Sequence, residues 1–533
     1  MYELPLIDVG VLLVYLAGVV GFGCWFVRYS RNTEGFMLAG RSLPGWAVGL
    51  SIFGTYLSSN TFIGVPGKAY GSDWNSFVLS LSLPIAAVIA VRVFVPFYRK
   101  TGEVSAYQHL ERRFGPWARV FAMACYLLTQ VVRMGSIMLG VALGMHALLG
   151  WDMATIIVAT GALVTLYTLL GGIEAVIWTD VAQSIVLMTG ALVVTLLLVF
   201  GMPEGPGQIF SIAAEHHKFS LGSFGPSLTD TTFWVVLVYG LTMNLNNFGI
   251  DQSFVQRYHT ARDDREAARS VWLGGLLYLP VSAVFFFIGT CLFAYYQTQP
   301  DLLADVETRV AAEKLQGERA QLSDTDYERR LGEVRDGLQP ADVGDKVLPH
   351  FLVQHLPPGV AGLLIAAIFA AAMSSIDTSL NSSATIVLSD IYKRYLRDRA
   401  GERESMIVLY SATLAFGAMG TGVAVSLIGV PSVLDAWWFL SGIFAAGMLG
   451  LFLLGLVART PDNRAAVAGV SAGVLVTGTV VVLLNLPESA GWPRSPVHPF
   501  LIPVVGTLTI VGVGLLTGLL LNARSGRGES RSA

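Results

Sequence analysis

IAAIFAAAMSSIDTSLNSSATIVLSDIYKR, residues 365–394, is an apolar run long enough to cross a bilayer as a helix, and it carries Ser374, Ser375, Asp377 and Thr378 midway along its length. A carboxylate or a hydroxyl cluster placed in lipid costs on the order of several kcal/mol unless it is paired, so groups of this kind face an ion or substrate path. The stretch therefore sets an all-α membrane fold and puts the chemistry at mid-membrane. Ser374 and Ser375 offer two hydroxyl oxygens side by side, and Ala371 a carbonyl one turn earlier. A small hard cation takes about five or six oxygens and tolerates neutral ones. Serines that bond back to the carbonyl at i−4 and merely pack are the alternative, and spacing alone leaves both readings open.

Composition agrees with the class. The 533 residues are 53% hydrophobic and only 13% charged, with a mean hydropathy of +0.61, which excludes an ordinary soluble domain. No basic arm or stripe is present, so no nucleic-acid partner is expected, and nothing in the chain points to an obligate protein partner. Cys24, Cys125 and Cys291 lie inside apolar runs without CxxC or Cys/His spacing, which gives neither a disulfide framework nor a zinc site. The first apolar run follows Glu3 and Asp8 and ends at Arg28, the reverse of a secretory signal, and reads as a retained helix.

Runs of about 20 apolar residues fall near 8–28, 43–66, 74–98, 117–148, 151–171, 175–200, 232–257, 271–297, 358–391, 405–429, 432–458, 464–484 and 498–522, thirteen expected crossings. With the N-terminus outside, the cytoplasmic segments hold 23 of the 34 Lys and Arg, so the positive-inside bias gives N-out and C-in in the plasma (inner) membrane. Residues 1–522 read as one transporter domain with an inverted-repeat core at 43–458. The charged loop at 298–357 reads as a solvated, extracytoplasmic helical hairpin or partly disordered insert. Residues 523–533 read as a disordered cytoplasmic tail. Two runs are poor continuous lipid-facing helices: residues 43–66 hold Gly54, Thr55, Ser58, Ser59, Asn60 and Thr61, and residues 232–257 hold NLNNFGIDQ. They are five runs apart, which orients them oppositely, as for broken helices of inverted repeats around a midplane site.

Four stretches in order, GRSLPGWAVGLSIFGTYLSSNTFIGVPG (40–67), GGIEAVIWTDVAQ (171–183), NLNNFGIDQSFVQR (244–257) and AAAMSSIDTSLNSSATIVLSDIYKR (370–394), resemble the sodium:solute symporter family over about residues 8–522. The resemblance implies the inverted-repeat leucine-transporter fold. It implies that Na+ is the coupling ion, held by the carbonyls of Gly54, Leu57 and Ala371 and the hydroxyls of Ser374 and Ser375. Relatives with a second sodium site place it on residues matching Asp180, Ser374 and Thr378, with serine where this chain has Asp377, so Asp180, Asp377 and Thr378 are a candidate second cation site.

Arg133 lies some fifteen residues inside an apolar run, too deep to snorkel easily, and requires an anionic partner. That partner is either a carboxylate of this chain, such as Asp180, Asp251 or Asp377, or a substrate carboxylate held by the guanidinium fork. The sialic acid symporters of the family resemble this chain in having an arginine here and hydroxyls matching Ser58 and Thr61, which favours an organic anion over the neutral sugars of other relatives. Ser80 departs from the relatives' longer polar side chain. Asn244 matches a substrate-contacting asparagine of the sugar-transporting relatives, and an amide suits a polyhydroxylated ligand.

No Walker motif, HExxH or Ser/His nucleophile arrangement occurs, so no enzyme and no organic cofactor are expected. A channel would need polar residues along a continuous path, whereas these cluster at mid-membrane. The expectation is a sodium-coupled symporter that imports a small organic anion, sialic acid first, with another nutrient such as a sugar, sugar acid, monocarboxylate or vitamin as the alternative.

Overall fold

A helix apolar on most faces is stable only where lipid or other helices cover it, and the chain is built of such helices. A computed structural model describes residues 5–319, 322–356, 359–429, 433–458, 462–486 and 495–529. Among these residues ten helices are long and apolar enough to cross a membrane. No strand occurs among them beyond one isolated bridge between Leu43 and Ala261.

The first helix, α1 (Leu6–Trp25), is followed by the broken pair α2 (Gly45–Tyr56) and α3 (Ser59–Gly71). Next come α4 (Asn75–Thr101), α5 (Pro116–Leu149) and α6 (Met153–Phe200). At 48 residues, α6 is about 70 Å long, over twice a hydrocarbon core of about 30 Å. It turns at Gly172 (φ 57°, ψ −155°), between the runs expected at 151–171 and 175–200. A side chain there would also meet the Phe36 carbonyl oxygen at 2.8 Å, so only glycine fits.

The second break separates α7 (Phe233–Ile250) from α8 (Gln252–Thr260), and α9 (Asp264–Gln297) follows. The 232–257 run is thus interrupted, as its composition suggests, at Asp251, whose side chain accepts the Ser253 N–H and caps α8. Leu57 (φ −93°, ψ 128°) and Ser58 (φ −131°, ψ 172°) are extended at the first break. Such breaks leave helix-end N–H and C=O groups free in the interior of the protein, where side chains or ions must satisfy them.

The 298–357 loop is more than a solvated hairpin. Its described part forms α10 (Pro300–Lys314), α11 (Asp324–Asp336) and α12 (Pro340–His355); residues 320, 321, 357 and 358 lie outside the described residues. α12 packs along α3, so closely that a Cβ on Gly344 would stand 2.4 Å from the Gly67 carbonyl oxygen.

The remaining helices are α13 (Val360–Ile386), α14 (Glu402–Ser426), α15 (Val433–Val457), α16 (Asn463–Asn485) and α17 (Ile502–Glu529). α17 continues to Glu529, past residue 523 where composition predicts a disordered tail; extending an existing helix is far easier than starting one. Residues 530–533 lie outside the described residues. α13 holds the centre, surrounded by α6, α5, α1 and α14. In its most apolar 18-residue stretch 83% of the residues are buried, which lets it carry polar groups that a lipid-facing span could not.

Candidate ion and substrate sites

The break between α2 and α3 turns the carbonyls of Gly54 and Leu57 toward α13. Ser374 Oγ lies 3.3 Å from the Gly54 oxygen and 3.2 Å from the Ala371 oxygen. Ser375 Oγ lies 3.2 Å from the Leu57 oxygen and 3.5 Å from the Ala371 oxygen. All five oxygens expected to hold sodium therefore converge on one point of the structure. Neighbouring hydroxyls on α13 bond back tightly, Thr378 to the Ser374 carbonyl at 2.8 Å and Ser382 to the Thr378 carbonyl at 2.6 Å. The contacts of Ser374 and Ser375 are longer than an ordinary O–H···O bond. A cation of sodium's size, close to that of calcium, sits about 2.4 Å from its ligands, so adjacent oxygens of its shell lie roughly 3.4 Å apart. The spacing is that of the edges of such a shell.

A cavity of about 710 Å³ opens beside the same break, running from Thr55 and Gln130 to Lys68, Asp345 and Phe500 at the far end of α3. Ser58, Thr61, Ser80, Arg133 and Asn244 all line it. Ser58 and Thr61 form the reciprocal cap of α3: the Thr61 N–H donates to Ser58 Oγ (3.4 Å) and the Ser58 N–H to Thr61 Oγ1 (3.3 Å). Ser80 and Ser282 hydroxyls pair at 2.8 Å, and Asn244 Nδ2 donates to Ser82 Oγ at 2.9 Å. Arg133 Nη2 donates to the Thr55 carbonyl at 2.8 Å. No carboxylate among the described residues is within ion-pairing distance of Arg133, so the alternative of a pair with Asp180, Asp251 or Asp377 is not what this structure contains.

The candidate second cation site holds a charge that sequence reasoning missed. Arg257, 1% exposed, sends Nη2 to Asp180 Oδ2 (3.0 Å) and Thr378 Oγ1 (2.7 Å), Nε to Ser51 Oγ (2.8 Å) and Nη1 to the Ser253 carbonyl (2.7 Å). Ser51 in turn donates to Asp180. Two of the three expected ligands, Asp180 and Thr378, are thus engaged by a fixed guanidinium. Asp377 stands apart from it, accepting from the Tyr167 hydroxyl (2.6 Å) and the Thr378 N–H (2.6 Å). The sequence counts Arg257 among cytoplasmic loop residues because it ends an apolar run. The signal that could have placed it is its position in the NLNNFGIDQSFVQR stretch, six residues beyond the Asp251 cap.

Two turns from Arg133 along α5, the Tyr126 hydroxyl contacts Ser253 (2.8 Å) and donates to Ser382 (2.7 Å). Farther on, buried Arg119 donates to Asp390 Oδ1 (2.6 Å) and Glu111 Oε2 (2.7 Å), and Arg394 reaches Glu111 Oε1 (2.5 Å). The guanidinium of Arg394, ahead of that of Arg119, holds the Glu111 carboxyl below its usual range. These ion pairs tie the end of α5 to residues 387–396 beyond α13, and none of their residues lines the cavity.

Sequence comparison matches residues 36–318 and 338–473 to the model of the sodium:solute symporter family. The chain belongs to the sodium:solute symporter family. The curated relatives of this symporter include the sodium/sialic acid symporter SiaT of Proteus mirabilis (strain HI4320), 32% identical over 525 residues, 98% of this chain and 96% of the relative. The sodium/sialic acid symporter NanT of Aliivibrio fischeri (strain ATCC 700601 / ES114) is 32% identical over 512 residues, 95% and 92% of the two chains. A solved substrate-bound, outward-open Na+-coupled sialic acid symporter superposes with a TM-score of 0.81 at 31% identity, covering 96% of this chain and 98% of that one. The symporter's all-helical architecture is that of this neighbour.

Proposed function

We propose that this member of the family uses the inward sodium gradient to import a small organic anion, sialic acid before others, by alternating access. The observation that carries the reading is the pairing of two features at one helix break: a five-oxygen cluster fit for sodium and, beside it, Arg133 facing a 710 Å³ cavity with no carboxylate among the described residues within ion-pairing distance. The two sialic acid relatives give the substrate its leading candidate. Ser58, Thr61, Ser80 and Asn244 supply hydroxyl and amide groups for a polyhydroxylated ligand. The aromatic rings of Tyr56, Tyr278 and Phe254 form apolar wall.

With the halves of α6 on either side of Gly172 counted separately, each broken pair as one crossing and α15 included, the described helices allow thirteen crossings. The charge bias orients the bundle N-out and C-in in the plasma membrane, with 43–458 as the core, so the cavity faces outward and the Arg119–Glu111–Asp390 pairs lie on the cytoplasmic side.

Uptake into proteoliposomes of sialic acid, glucuronate, a monocarboxylate, biotin and glucose, with and without a sodium gradient, tests the reading. Sodium-dependent accumulation of an acid is expected, sialic acid foremost. In Arg133→Ala the affinity for the transported acid is expected to fall about a hundredfold, and less in Arg133→Lys, which keeps charge but loses the fork. Wild-type affinity in a folded Arg133→Ala protein would overturn the anchor, and preference for glucose would overturn the anion.

A further inference from the structure

Asp251 lies in the break between α7 and α8, 7% exposed, on the wall of the anion cavity. Its Oδ1 accepts the Ser253 N–H at 2.8 Å. The Ser253 hydroxyl bears on the same carboxylate, and among the described residues no ion pair reaches it. Arg133 is the cation that acts on it most strongly, ahead of Arg257, yet stays beyond ion-pairing distance and faces the same cavity. Two neighbours on the wall, Gln130 one turn before Arg133 and Asn246, each leave one amide atom without a protein partner. Buried polar atoms left in this state in a cavity wall are the complement of a polar ligand.

The charges set a condition on that ligand. When a carboxylate engages Arg133, it takes up the guanidinium that offsets Asp251 and brings a second negative charge close to it. A bare acid would thus leave a buried carboxylate worse balanced than before, a cost that discriminates against it. An acid that also aims an O–H or N–H at Asp251 makes a charge-assisted hydrogen bond and removes the cost.

We propose that Asp251 reads a hydrogen-bond donor on the transported anion, so that the site takes acids carrying a hydroxyl, amide N–H or ammonium group and rejects acids carrying none. The proposal rests on Arg133 as the carboxylate anchor. It assigns Asp251 a role beyond capping α8, and it narrows the substrate class from organic anions to donor-bearing ones.

The experiment measures sodium-dependent binding of sialic acid and of cyclohexanecarboxylate, a ring acid with no donor, to the purified full-length protein and its variants. Asp251→Asn keeps an N-cap and removes the charge. The wild type is expected to prefer sialic acid by about a hundredfold or more, and Asp251→Asn to reduce that preference at least about tenfold, chiefly by admitting the bare acid. Asp251→Ala, should it fold, is expected to shift the preference in the same direction. An unchanged preference in Asp251→Asn, with Arg133→Ala losing both acids, would overturn the role of Asp251 while leaving the anchor intact. Wild-type binding of both acids by Arg133→Ala would remove the anchor and this proposal with it. Equal affinity of the wild type for the two acids would overturn the proposal alone.

Discussion

Replacing Ser374 and Ser375 together by Ala is expected to abolish sodium-driven accumulation, or to raise the sodium needed for half-maximal uptake by at least about a hundredfold. The double variant removes two of the five oxygens that converge between α2, α3 and α13. What remains is the carbonyls of Gly54, Leu57 and Ala371, too few for a cation that takes about five or six ligands, and each lost contact to a charge is worth about 1.5–3 kcal/mol. The single variants should fall between. Methyl groups in place of hydroxyls suit the buried surroundings of α13, so the fold is expected to survive. The readouts are sodium titrations of uptake in proteoliposomes and of ligand binding in detergent. A folded double variant with unaltered sodium dependence would show that the cluster is only packing.

Arg257→Ala should produce the largest loss of stability. The guanidinium is buried with four partners, Asp180, Thr378, Ser51 and the Ser253 carbonyl, and its removal leaves Asp180 as an unbalanced carboxylate at 0% exposure. Breaking a buried pair from one side costs about 3–5 kcal/mol. Most of that cost comes from the orphaned charge, so Arg257→Ala combined with Asp180→Ala should be more stable than Arg257→Ala alone. Thermal unfolding in detergent distinguishes these cases. If Asp180 can hold a second cation, sodium should partly restore Arg257→Ala, whereas potassium or choline should not; a variant that melts like the wild type would show the pair to be dispensable.

The apolar runs were legible because a bilayer demands long uninterrupted stretches, and the serine pair because adjacent hydroxyls stand out in such a run. The convergence of Gly54 and Leu57 on that pair was legible only in part, since a backbone carbonyl leaves no trace in residue identity; the polar break near residues 54–61 suggested freed carbonyls, and the family resemblance named them. Arg257 escaped for a different reason. α8, QSFVQRYHT, is buried throughout yet polar, because neighbouring helices rather than lipid cover it, and a charge at the end of the 232–257 run reads as the start of a loop. α12 escaped through averaging. Val343, Val347, Leu348, Phe351 and Leu352 form a buried stripe on a helix whose charged neighbours make the whole loop read as solvated.

The bend at residues 54–58 belongs to both ligands at once. Arg133 grips the Thr55 carbonyl, while the serine hydroxyls of α13 face the carbonyls of Gly54 and Leu57 on either side of it. A cation that fixes those two carbonyls also fixes the wall on which the guanidinium rests, and so lowers the entropy an arriving anion must still give up. Thermodynamic reciprocity then applies: by whatever factor sodium tightens the anion, the anion tightens sodium. Five residues of bent backbone are enough to make the two cargoes travel as a pair, without any contact between them.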